Sequence, residues 1–418
     1  MPLNFSCRRD FPLTKIQTLL ARFVVAIGCA LLAFTLPTSA QTLTVLYQFQ
    51  ASPDGQLPFA GLTRDSAGDF VGTTKSGGTV QAGTVYKIDA QGNETILYSF
   101  QGTPDGSEPT DALITDKQGN FYGTTSYGGA NYLGTVFKLT PTGEETVLHS
   151  FAGPDGNTPY AALVMDAHGN LYGTTFWGGT STACSTGCGT VFEIQPNGTE
   201  TVIHSFQGGA SDGVSPNGLT IDAKGNLYGT AQQASGQGCA CGIVFKLSKN
   251  SSGIWTETIL HTFTGAPADG HDPQAAVIVD AKGNLYGTTE YGGRWDWGTI
   301  FKITPSGEES LIFSFNLKTT GGGLNTPLVQ NAAGDFFGTT LWGPVKARCK
   351  GDEGCGTVFE VSPRGALLMQ YAFSAGGDGN APQSNGPLLL GSDGSLYGTS
   401  IDGSQYYPFY GEVYKFTP

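Results

Sequence analysis

Short runs rich in Val, Ile, Thr, Tyr and Phe recur along the chain after residue 40, and turns that contain glycine separate them. Side chains of these types favour extended backbone, and such short runs are typical of β-strands. Several runs are apolar at consecutive positions, so both faces of these strands are expected to be buried. The pattern predicts an all-β protein in which sheets pack against one another.

The runs belong to a tandem repeat. The segment Gly-Asn-Leu-Tyr-Gly-Thr-Thr at 169–175 recurs with small changes, and its seven copies begin at Gly68, Gly119, Gly169, Gly225, Gly283, Gly334 and Gly394. A second segment, Gly-Thr-Val-Phe-Lys-Leu at 134–139, has a counterpart after every copy. A third, Glu-Thr-Val-Leu-His-Ser-Phe at 145–151, has counterparts in all repeats but the last. Such self-similarity indicates a repeat architecture.

Each repeat is predicted to form four antiparallel strands. In the third repeat the first strand spans 162–166 and the second spans 170–175, and the two later segments supply the third and fourth strands. Tight glycine-containing turns join them. Seven units of four strands predict a seven-bladed β-propeller over residues 41–418.

The two ends of the repeat region complement each other. The last repeat lacks a fourth strand, whereas residues 42–49 match the fourth strand of the first repeat at 94–100. A closed propeller uses such a strand to bury the open edge of its final blade. We therefore expect residues 42–49 to complete the seventh blade.

The motifs Gly-Asn-Leu-Tyr-Gly-Thr-Thr, Gly-Gly and Gly-Thr-Val-Phe-Lys resemble the tandem repeats of GloVer-containing proteins, also called choice-of-anchor tandem repeat proteins. The resemblance covers residues 42–418. It implies an exported bacterial repeat protein and supplies no catalytic residues. Relatives often end in a sorting anchor, whereas residues 414–418 are predicted here as the last strand.

Residues 1–40 have the pattern of a signal peptide. Four basic side chains precede the apolar run 23–36, and small residues at 38–40 favour cleavage before Gln41. Because of Arg8-Arg9, a twin-arginine export signal is one alternative, and residues 26–29 resemble a poor lipobox. We expect a secreted or periplasmic protein with no membrane span in its mature chain.

Composition and charge narrow the possible partners. The net charge of -13 becomes -16 without residues 1–40, because that segment carries four basic residues and one acidic residue. A surface this acidic repels phosphate backbones and anionic lipids, which argues against nucleic acid as a partner. The 63 glycines and 3 methionines argue against a helical bundle. We expect a monomer without a cofactor, because no cofactor motif is recognisable.

Variable loops are predicted to lie on one face of the propeller, which we call the loop face. The links from second to third strands and the links between blades emerge there, and variable loops are where binding is expected. Three cysteine pairs belong to these loops: Cys184 with Cys188, Cys239 with Cys241, and Cys349 with Cys355. Export favours disulfides, although the Cys-x-Cys spacing of the second pair is strained and leaves its state open.

Aromatic residues on the loop face are candidates for stacking on sugar rings. One repeat-equivalent position holds Tyr127, Trp177, Tyr291 and Trp342. The alternative, which we favour for the set as a whole, is that these rings cap the ends of the blades. The fifth repeat is the sharpest local candidate for binding, because its loop adds Glu290, Arg294, Trp295, Asp296 and Trp297.

Six loops share an Asp-Gly pair with a proline four residues after the aspartate. These aspartates are Asp54, Asp105, Asp155, Asp212, Asp269 and Asp378. A calcium-binding ring is conceivable, but Asp-Gly is common turn chemistry and we favour a structural turn, so no metal site is expected. Asp111 differs, because it replaces an alanine near the start of an innermost strand and would face the channel mouth.

Two functions remain open. The first is an exported binding or scaffold module that presents its loop face to an extracellular glycan or protein. The alternative is a polysaccharide-cleaving enzyme, a lyase or glycoside hydrolase, in which Asp111, Glu290 and Asp296 supply an acid/base pair. The first is preferred, and no catalytic residue is assigned.

Overall fold

The computed structural model describes residues 41–209, 212–233, 241–344, 355–373, 387–401 and 410–418. Every regular element within these ranges is a β-strand, and the strands form seven four-stranded antiparallel blades arranged in a ring. The molecule is therefore a seven-bladed β-propeller, as predicted. Within the described ranges there is no helix long and apolar enough to cross a membrane.

The strands follow the order of the repeats. Strands β1 (Thr42–Gln48) and β2 (Gly55–Gln56) precede the first blade, which consists of β3 (Thr63–Arg64), β4 (Phe70–Thr74), β6 (Thr84–Ile88) and β7 (Glu94–Ser99), with β5 (Ser76–Gly77) paired to β2. The second blade consists of β8 (Ile114–Thr115), β9 (Phe121–Thr125), β10 (Thr135–Leu139) and β11 (Glu145–Ser150). The third consists of β12 (Val164–Met165), β13 (Leu171–Thr175), β14 (Thr190–Ile194) and β15 (Glu200–Ser205). The fourth consists of β16 (Val214–Ile221), β17 (Leu227–Gln233), β18 (Ile243–Lys249) and β19 (Trp255–Thr262).

The remaining blades continue this order. A short strand β20 (Gly270–His271) precedes the fifth blade, which consists of β21 (Ile278–Val279), β22 (Leu285–Thr289), β24 (Thr299–Ile303) and β25 (Glu309–Ser314), with β23 (Tyr291–Gly292) paired to β20. The sixth consists of β26 (Val329–Gln330), β27 (Phe336–Thr340), β28 (Thr357–Val361) and β29 (Leu367–Ala372). The seventh consists of β30 (Leu389–Leu390), β31 (Leu396–Ser400), β32 (Glu412–Thr417) and β1.

The innermost strands are mostly shorter than the sequence indicates. In the third blade β12 covers two residues, whereas a strand over 162–166 was expected. The innermost strands of the first, second, fifth, sixth and seventh blades also cover two residues each. At the centre of the ring, the backbone N–H of Ala162 donates to the Asp111 carboxylate of the second blade at 2.7 Å.

The N-terminal strand closes the ring. β1 pairs with β32 in an antiparallel ladder that runs from Thr42 opposite Thr417 to Gln48 opposite Glu412. Directly after this ladder, the N–H of Phe49 donates to the carbonyl of Gly411 at 3.0 Å. The prediction that residues 42–49 complete the seventh blade is confirmed.

Aromatic pairs seal the seven interfaces between blades. A phenylalanine after the fourth strand of each blade meets an aromatic ring in the third strand of the next, with centroids 4.9 to 5.5 Å apart. The pairs are Phe49–Tyr86, Phe100–Phe137, Phe151–Phe192, Phe206–Phe245, Phe263–Phe301, Phe315–Phe359 and Phe373–Tyr414. These rings are almost completely buried and form the core between blades.

The second glycine of the Gly-Asn-Leu-Tyr-Gly-Thr-Thr motif makes room for these rings. In the second blade a Cβ on Gly123 would lie 2.8 Å from the ring of Phe137, closer than side-chain carbons approach in proteins. The ring therefore lies directly over the backbone of the neighbouring strand. A substitution at this position would displace the ring that seals the interface.

The two threonines of the motif have separate tasks. In five blades the first donates its hydroxyl to a carbonyl of the segment that forms or precedes the innermost strand of the next blade, as from Thr174 to Asn217 at 3.0 Å and from Thr230 to Ala275 at 3.0 Å. In five blades the second pairs with the threonine that begins the third strand, as in Thr125 with Thr135 at 2.8 Å. One threonine thus links blades near the axis, and the other links two strands within a blade.

Carboxyl groups are also buried between the blades. In the first five blades a glutamate near the start of the fourth strand lies close to the loop aspartate that precedes the blade. The pairs are Glu94 with Asp54, Glu145 with Asp105, Glu200 with Asp155, Glu257 with Asp212, and Glu309 with Asp269. Burial, together with the neighbouring aspartate charge, raises the pKa of each glutamate to about 7.

We predict that the Phe49→Ala variant is destabilised by about 3 kcal/mol or more, because it removes a buried ring from the interface that closes the propeller. The matched control is Val80→Ala, which truncates a side chain that is 52% exposed and should change stability by less than about 0.5 kcal/mol. Urea denaturation measures both. Deletion of residues 42–49 should lower stability further, and an unchanged melting temperature after the deletion would contradict closure by β1.

We also predict that the folded protein becomes more stable as the pH falls from about 8 to about 5. The folded pKa of Glu94 and Glu145 is about 7, against 4.5 for the free side chain, so the folded chain binds more protons than the unfolded chain in this window. After allowance for partial exposure, each of these two carboxylates destabilises the fold by about 1 kcal/mol at the upper end of this pH range.

Melting temperatures across this pH range measure the effect. The Glu94→Gln/Glu145→Gln variant should melt higher than the wild type at about pH 8 and show a shallower pH dependence. A wild-type melting temperature that stays constant or rises with pH would show that these carboxyl groups do not titrate as their burial implies.

Candidate functional site

The two sets of loops meet on one face, as predicted. In the second, third and sixth blades, backbone bridges join the loop after the second strand to the loop that enters the same blade, pairing Ser107 with Tyr127, Asn157 with Trp177, and Gly322 with Trp342. In the fifth blade β20 and β23 form the same contact, which pairs His271 with Tyr291. The four aromatic residues therefore occupy one structural position in four different blades.

Aromatic rings from the fifth and sixth blades form a continuous surface, which we call the aromatic patch: His271, Tyr291, Trp297 and Trp342. The ring of Tyr291 stacks on His271 with centroids 5.2 Å apart and an interplanar angle of 19°. Trp342 lies 6.0 Å from Tyr291 and meets Trp297 edge to face at 5.8 Å. Tyr291, Trp297 and Trp342 are each partly exposed.

Glycines at 321–323 make room for the two tryptophans. A Cβ on Gly322 would lie 2.9 Å from the Cβ of Trp297, and a Cβ on Gly323 would collide with the Trp342 ring. Gly323 also has a φ of +71°, which disfavours other residues. The N–H of Gly323 donates to the Trp297 carbonyl at 3.1 Å and ties the two blades together. In the sixth repeat Thr320 and the three glycines replace the usual Asp-Gly turn, and these glycines leave room for the tryptophans of the aromatic patch.

Charged residues border the patch in the fifth-blade loop. The Arg294 guanidinium lies 5.0 Å above the Trp295 ring, and both side chains are exposed. Asp296 accepts a hydrogen bond from the N–H of Gly292 at 2.9 Å and lies 3.4 Å from Nε2 of His271. Asp272 and Asp296 raise the pKa of His271, which favours the cationic form of this member of the patch.

Glu290 is buried at the start of the fifth-blade loop. Nε2 of Gln274 donates to its Oε2, and its carboxyl group also forms a hydrogen bond with Tyr291. Burial raises the pKa of this carboxyl group, against the opposing effect of the Tyr291 hydrogen bond. Glu290 therefore supports the aromatic patch through Tyr291 and is not among the exposed charges at its border.

Tyr127 and Trp177 lie in the second and third blades. Tyr127 is 44% exposed, and Trp177 packs edge to face against Phe176 at 5.2 Å. The structure thus gathers Tyr291, Trp297 and Trp342 into one surface and places Tyr127 and Trp177 elsewhere on the loop face.

A central cavity of about 360 Å³ runs between the innermost strands of all seven blades. Its lining is mainly apolar, with Asp111, Asn217 and Gln274 among the polar contributors. Asp111 accepts hydrogen bonds from the N–H groups of Ala112 at 2.6 Å and Ala162 at 2.7 Å. Burial raises the pKa of Asp111 to about 7, despite these two donors.

The aspartates of the Asp-Gly loops hold their own turns. Asp105 accepts the N–H of Gln101 at 3.0 Å, and Asp269 accepts the N–H of Thr264 at 2.9 Å. Ring side chains of the preceding fourth strands contact the same carboxylates, as Tyr98 does at 2.6 Å. This is the turn role favoured from sequence, and the ring contacts are an addition. Asp378 lies outside the described residues.

The cysteines form disulfides wherever the structure describes them. Cys184 and Cys188 are bonded to each other, as predicted. Cys241 and Cys355 are also disulfide-bonded. Cys349, the predicted partner of Cys355, and Cys239, whose state the sequence leaves open, lie outside the described residues.

Sequence reasoning missed His271 as a member of the site. Its contact with Tyr291 depends on a two-residue ladder between loops, which no local pattern shows. One signal was present, because His271 is the only ring that follows an Asp-Gly pair, where other repeats carry Gln56, Ser107 or Asn157. Asn217 and Gln274 of the central cavity were also missed, because the cavity is lined by residues from all seven blades and no local pattern shows it.

Solved structures of low sequence identity are similar to this chain. PorZ, a bacterial surface component of the type-IX secretion system of Porphyromonas gingivalis, is 16% identical with a TM-score of 0.53, over 88% of this chain and 47% of PorZ. A gluconolactonase from Xanthomonas campestris is 14% identical with a TM-score of 0.42, over 72% of this chain and 86% of that one. A luciferin-regenerating enzyme is 11% identical with a TM-score of 0.43, over 74% of this chain and 91% of that one. Likeness at such identity shows a fold and no function.

None of the curated proteins compared with the chain matches it. The repeat motifs do have a counterpart, because the sequence matches the Gloeobacter/Verrucomicrobia repeat over residues 30–245 and 215–418. These two regions include all seven copies of the motif. The chain therefore belongs to the Gloeobacter/Verrucomicrobia repeat family, as its resemblance to GloVer-containing proteins indicated.

Proposed function

We propose that this protein is an exported binding module that holds an extracellular glycan on the aromatic patch of its loop face. The observation that carries the proposal is the row of partly exposed rings formed by Tyr291, Trp342 and Trp297 across two blades. The C–H faces of sugar rings pack against such aromatic surfaces, and neighbouring hydrogen-bonding groups select the hydroxyl pattern.

The border of the patch supplies those polar groups. Arg294 donates from its guanidinium, and Asp296 accepts hydrogen bonds. Both charges lie at the edge of the rings, so they are placed to meet hydroxyl groups of a sugar stacked on the patch.

Charge favours a neutral or cationic glycan. Residues 41–418 carry a formal charge of -16, which repels polyanions such as uronic-acid polymers. Export is supported by the signal-like pattern of residues 1–40 and by the disulfide between Cys184 and Cys188, since disulfides are rare in reducing compartments.

Polysaccharide cleavage is the alternative function. Asp111 favours it, because a carboxyl group with a pKa of about 7 in a central cavity is suited to proton transfer. A glycoside hydrolase also requires a second carboxyl group on the other side of the scissile bond. Glu290 and Asp296 belong to the fifth blade and are engaged by Gln274, Gly292 and His271, whereas Asp111 is held by the second and third blades. Binding is therefore preferred.

We predict that replacing both Trp295 and Trp297 with Ala weakens glycan binding at least about tenfold, because the variant loses a stacking surface and the ring that supports Trp342. A glycan array identifies the ligand, and isothermal titration calorimetry on that glycan measures the affinity. A reducing-sugar assay on the same glycan tests for cleavage.

The matched control is Tyr132→Ala, which removes a 68% exposed ring in the second blade and should leave the affinity unchanged. Circular dichroism checks that both variants keep the β-sheet signal. Equal affinity of the double variant and the wild type would overturn the proposal. Release of reducing ends that Asp111→Asn abolishes would favour the enzyme instead.

A further inference from the structure

Three histidines lie between blades, each beside an aspartate and a glutamate. The groups are His149 with Asp155 and Glu200, His204 with Asp212 and Glu257, and His261 with Asp269 and Glu309. In each group one histidine nitrogen and one oxygen from each carboxyl group lie within 4.8 Å of one another. The histidine lies in the fourth strand of one blade, the aspartate lies in the loop after that strand, and the glutamate lies near the start of the fourth strand of the next blade. Each group therefore spans an interface.

The donor atoms lie close together because the histidine and aspartate of a group are hydrogen-bonded. Nε2 of His149 forms a hydrogen bond with Asp155 at 2.9 Å, and Nε2 of His261 forms one with Asp269 at 3.0 Å. Nε2 of His204 lies 3.4 Å from Asp212 and 3.7 Å from Glu257. Ligands bonded to a tetrahedral zinc ion are roughly 3.4 Å apart, so small side-chain rotations would bring each set into coordination distance.

The glutamates supply a further observation. Oε1 is buried and has no hydrogen-bond partner in Glu200, Glu257 and Glu309, and the same holds for Glu94 and Glu145 at the two interfaces with a tyrosine. A buried carboxylate oxygen without a donor raises the free energy of the fold. A cation at the centre of the group would give this oxygen its missing partner.

Differences among the interfaces show what the histidine adds. At two other interfaces Tyr47 and Tyr98 occupy the histidine position, and their hydroxyl groups donate to Asp54 at 2.9 Å and Asp105 at 2.6 Å. A tyrosine therefore meets the packing and hydrogen-bonding needs of this position. What the histidine adds is an imidazole nitrogen that can bind a metal ion.

One interface has lost the whole group. Between the fifth and sixth blades, Phe313 takes the ring position, Thr320 takes the aspartate position and Leu367 takes the glutamate position. These three positions therefore hold no acidic residue where the ring has no polar atom. Between the sixth and seventh blades the sequence keeps Tyr371 and Asp378 at the first two positions, whereas Leu43 takes the glutamate position.

We propose that each of the three histidine groups binds a divalent transition-metal ion, represented by Zn²⁺, and that the ion joins neighbouring blades. One imidazole nitrogen and two carboxylate oxygens match the ligand preference of Zn²⁺, with water completing the coordination. Calcium does not match, because it prefers six to eight oxygen ligands. The inference is independent of glycan binding, since the groups lie between the second and fifth blades and exclude the aromatic patch.

The test is metal analysis of the purified protein after removal of metal with EDTA and dialysis against Zn²⁺. The wild type should bind up to three Zn²⁺ ions per chain, and zinc should raise its melting temperature. The triple variant His149→Tyr/His204→Tyr/His261→Tyr should lose these ions and the zinc-dependent shift. It should still fold, because tyrosine naturally occupies the position at two interfaces.

A reciprocal variant sharpens the test. Tyr98→His creates the same ligand set with Asp105 and Glu145, and it should bind one ion more than the wild type. Glu200→Gln/Glu257→Gln/Glu309→Gln gives a second loss-of-binding variant that keeps the histidines. The proposal is overturned if the wild type binds no Zn²⁺, or if the triple tyrosine variant binds as many ions as the wild type.

Discussion

An aromatic ring at the end of each fourth strand, packed against a ring in the third strand of the next blade, holds the propeller together. The second ring lies over a glycine of the neighbouring strand, so the contact depends on the absence of a side chain there. The same contact occurs at all seven interfaces, including Phe49–Tyr86 and Phe373–Tyr414 on either side of the blade that contains both chain ends. The blade that closes the ring is thus held by the same interaction that joins all the remaining blades.

This frame leaves the loop face free to vary, and the sixth repeat shows how. Thr320 takes the place of the loop aspartate and Leu367 takes the place of the strand glutamate, so these two positions hold no acidic pair. The same repeat carries glycines at 321–323, on which Trp297 and Trp342 pack. Because the aromatic pairs already hold these blades together, the turn could change without loss of the fold. The aromatic patch lies where the repeat departs most from its own pattern.

Buried carboxyl groups also make the folded protein less negative than its formal charge indicates. The formal charge of -16 counts every acidic side chain as ionised. Five inter-blade glutamates have a pKa of about 7, as does Asp111, so a substantial fraction of these groups is protonated at neutral pH. The acidic surface is therefore weaker than the composition indicates, and part of the acidic content belongs to the interior.

The sequence by itself determined the seven repeats, the four strands of each and the closing strand, because period and turn chemistry are local and recur within every copy. It also marked Tyr291, Trp297 and Trp342 as unusual residues. Only the tertiary structure decided that they share a surface with His271, and that His149, His204 and His261 each meet two carboxyl groups. These contacts join residues from different strands and blades. Their distances depend on how adjacent blades pack, which no single repeat contains.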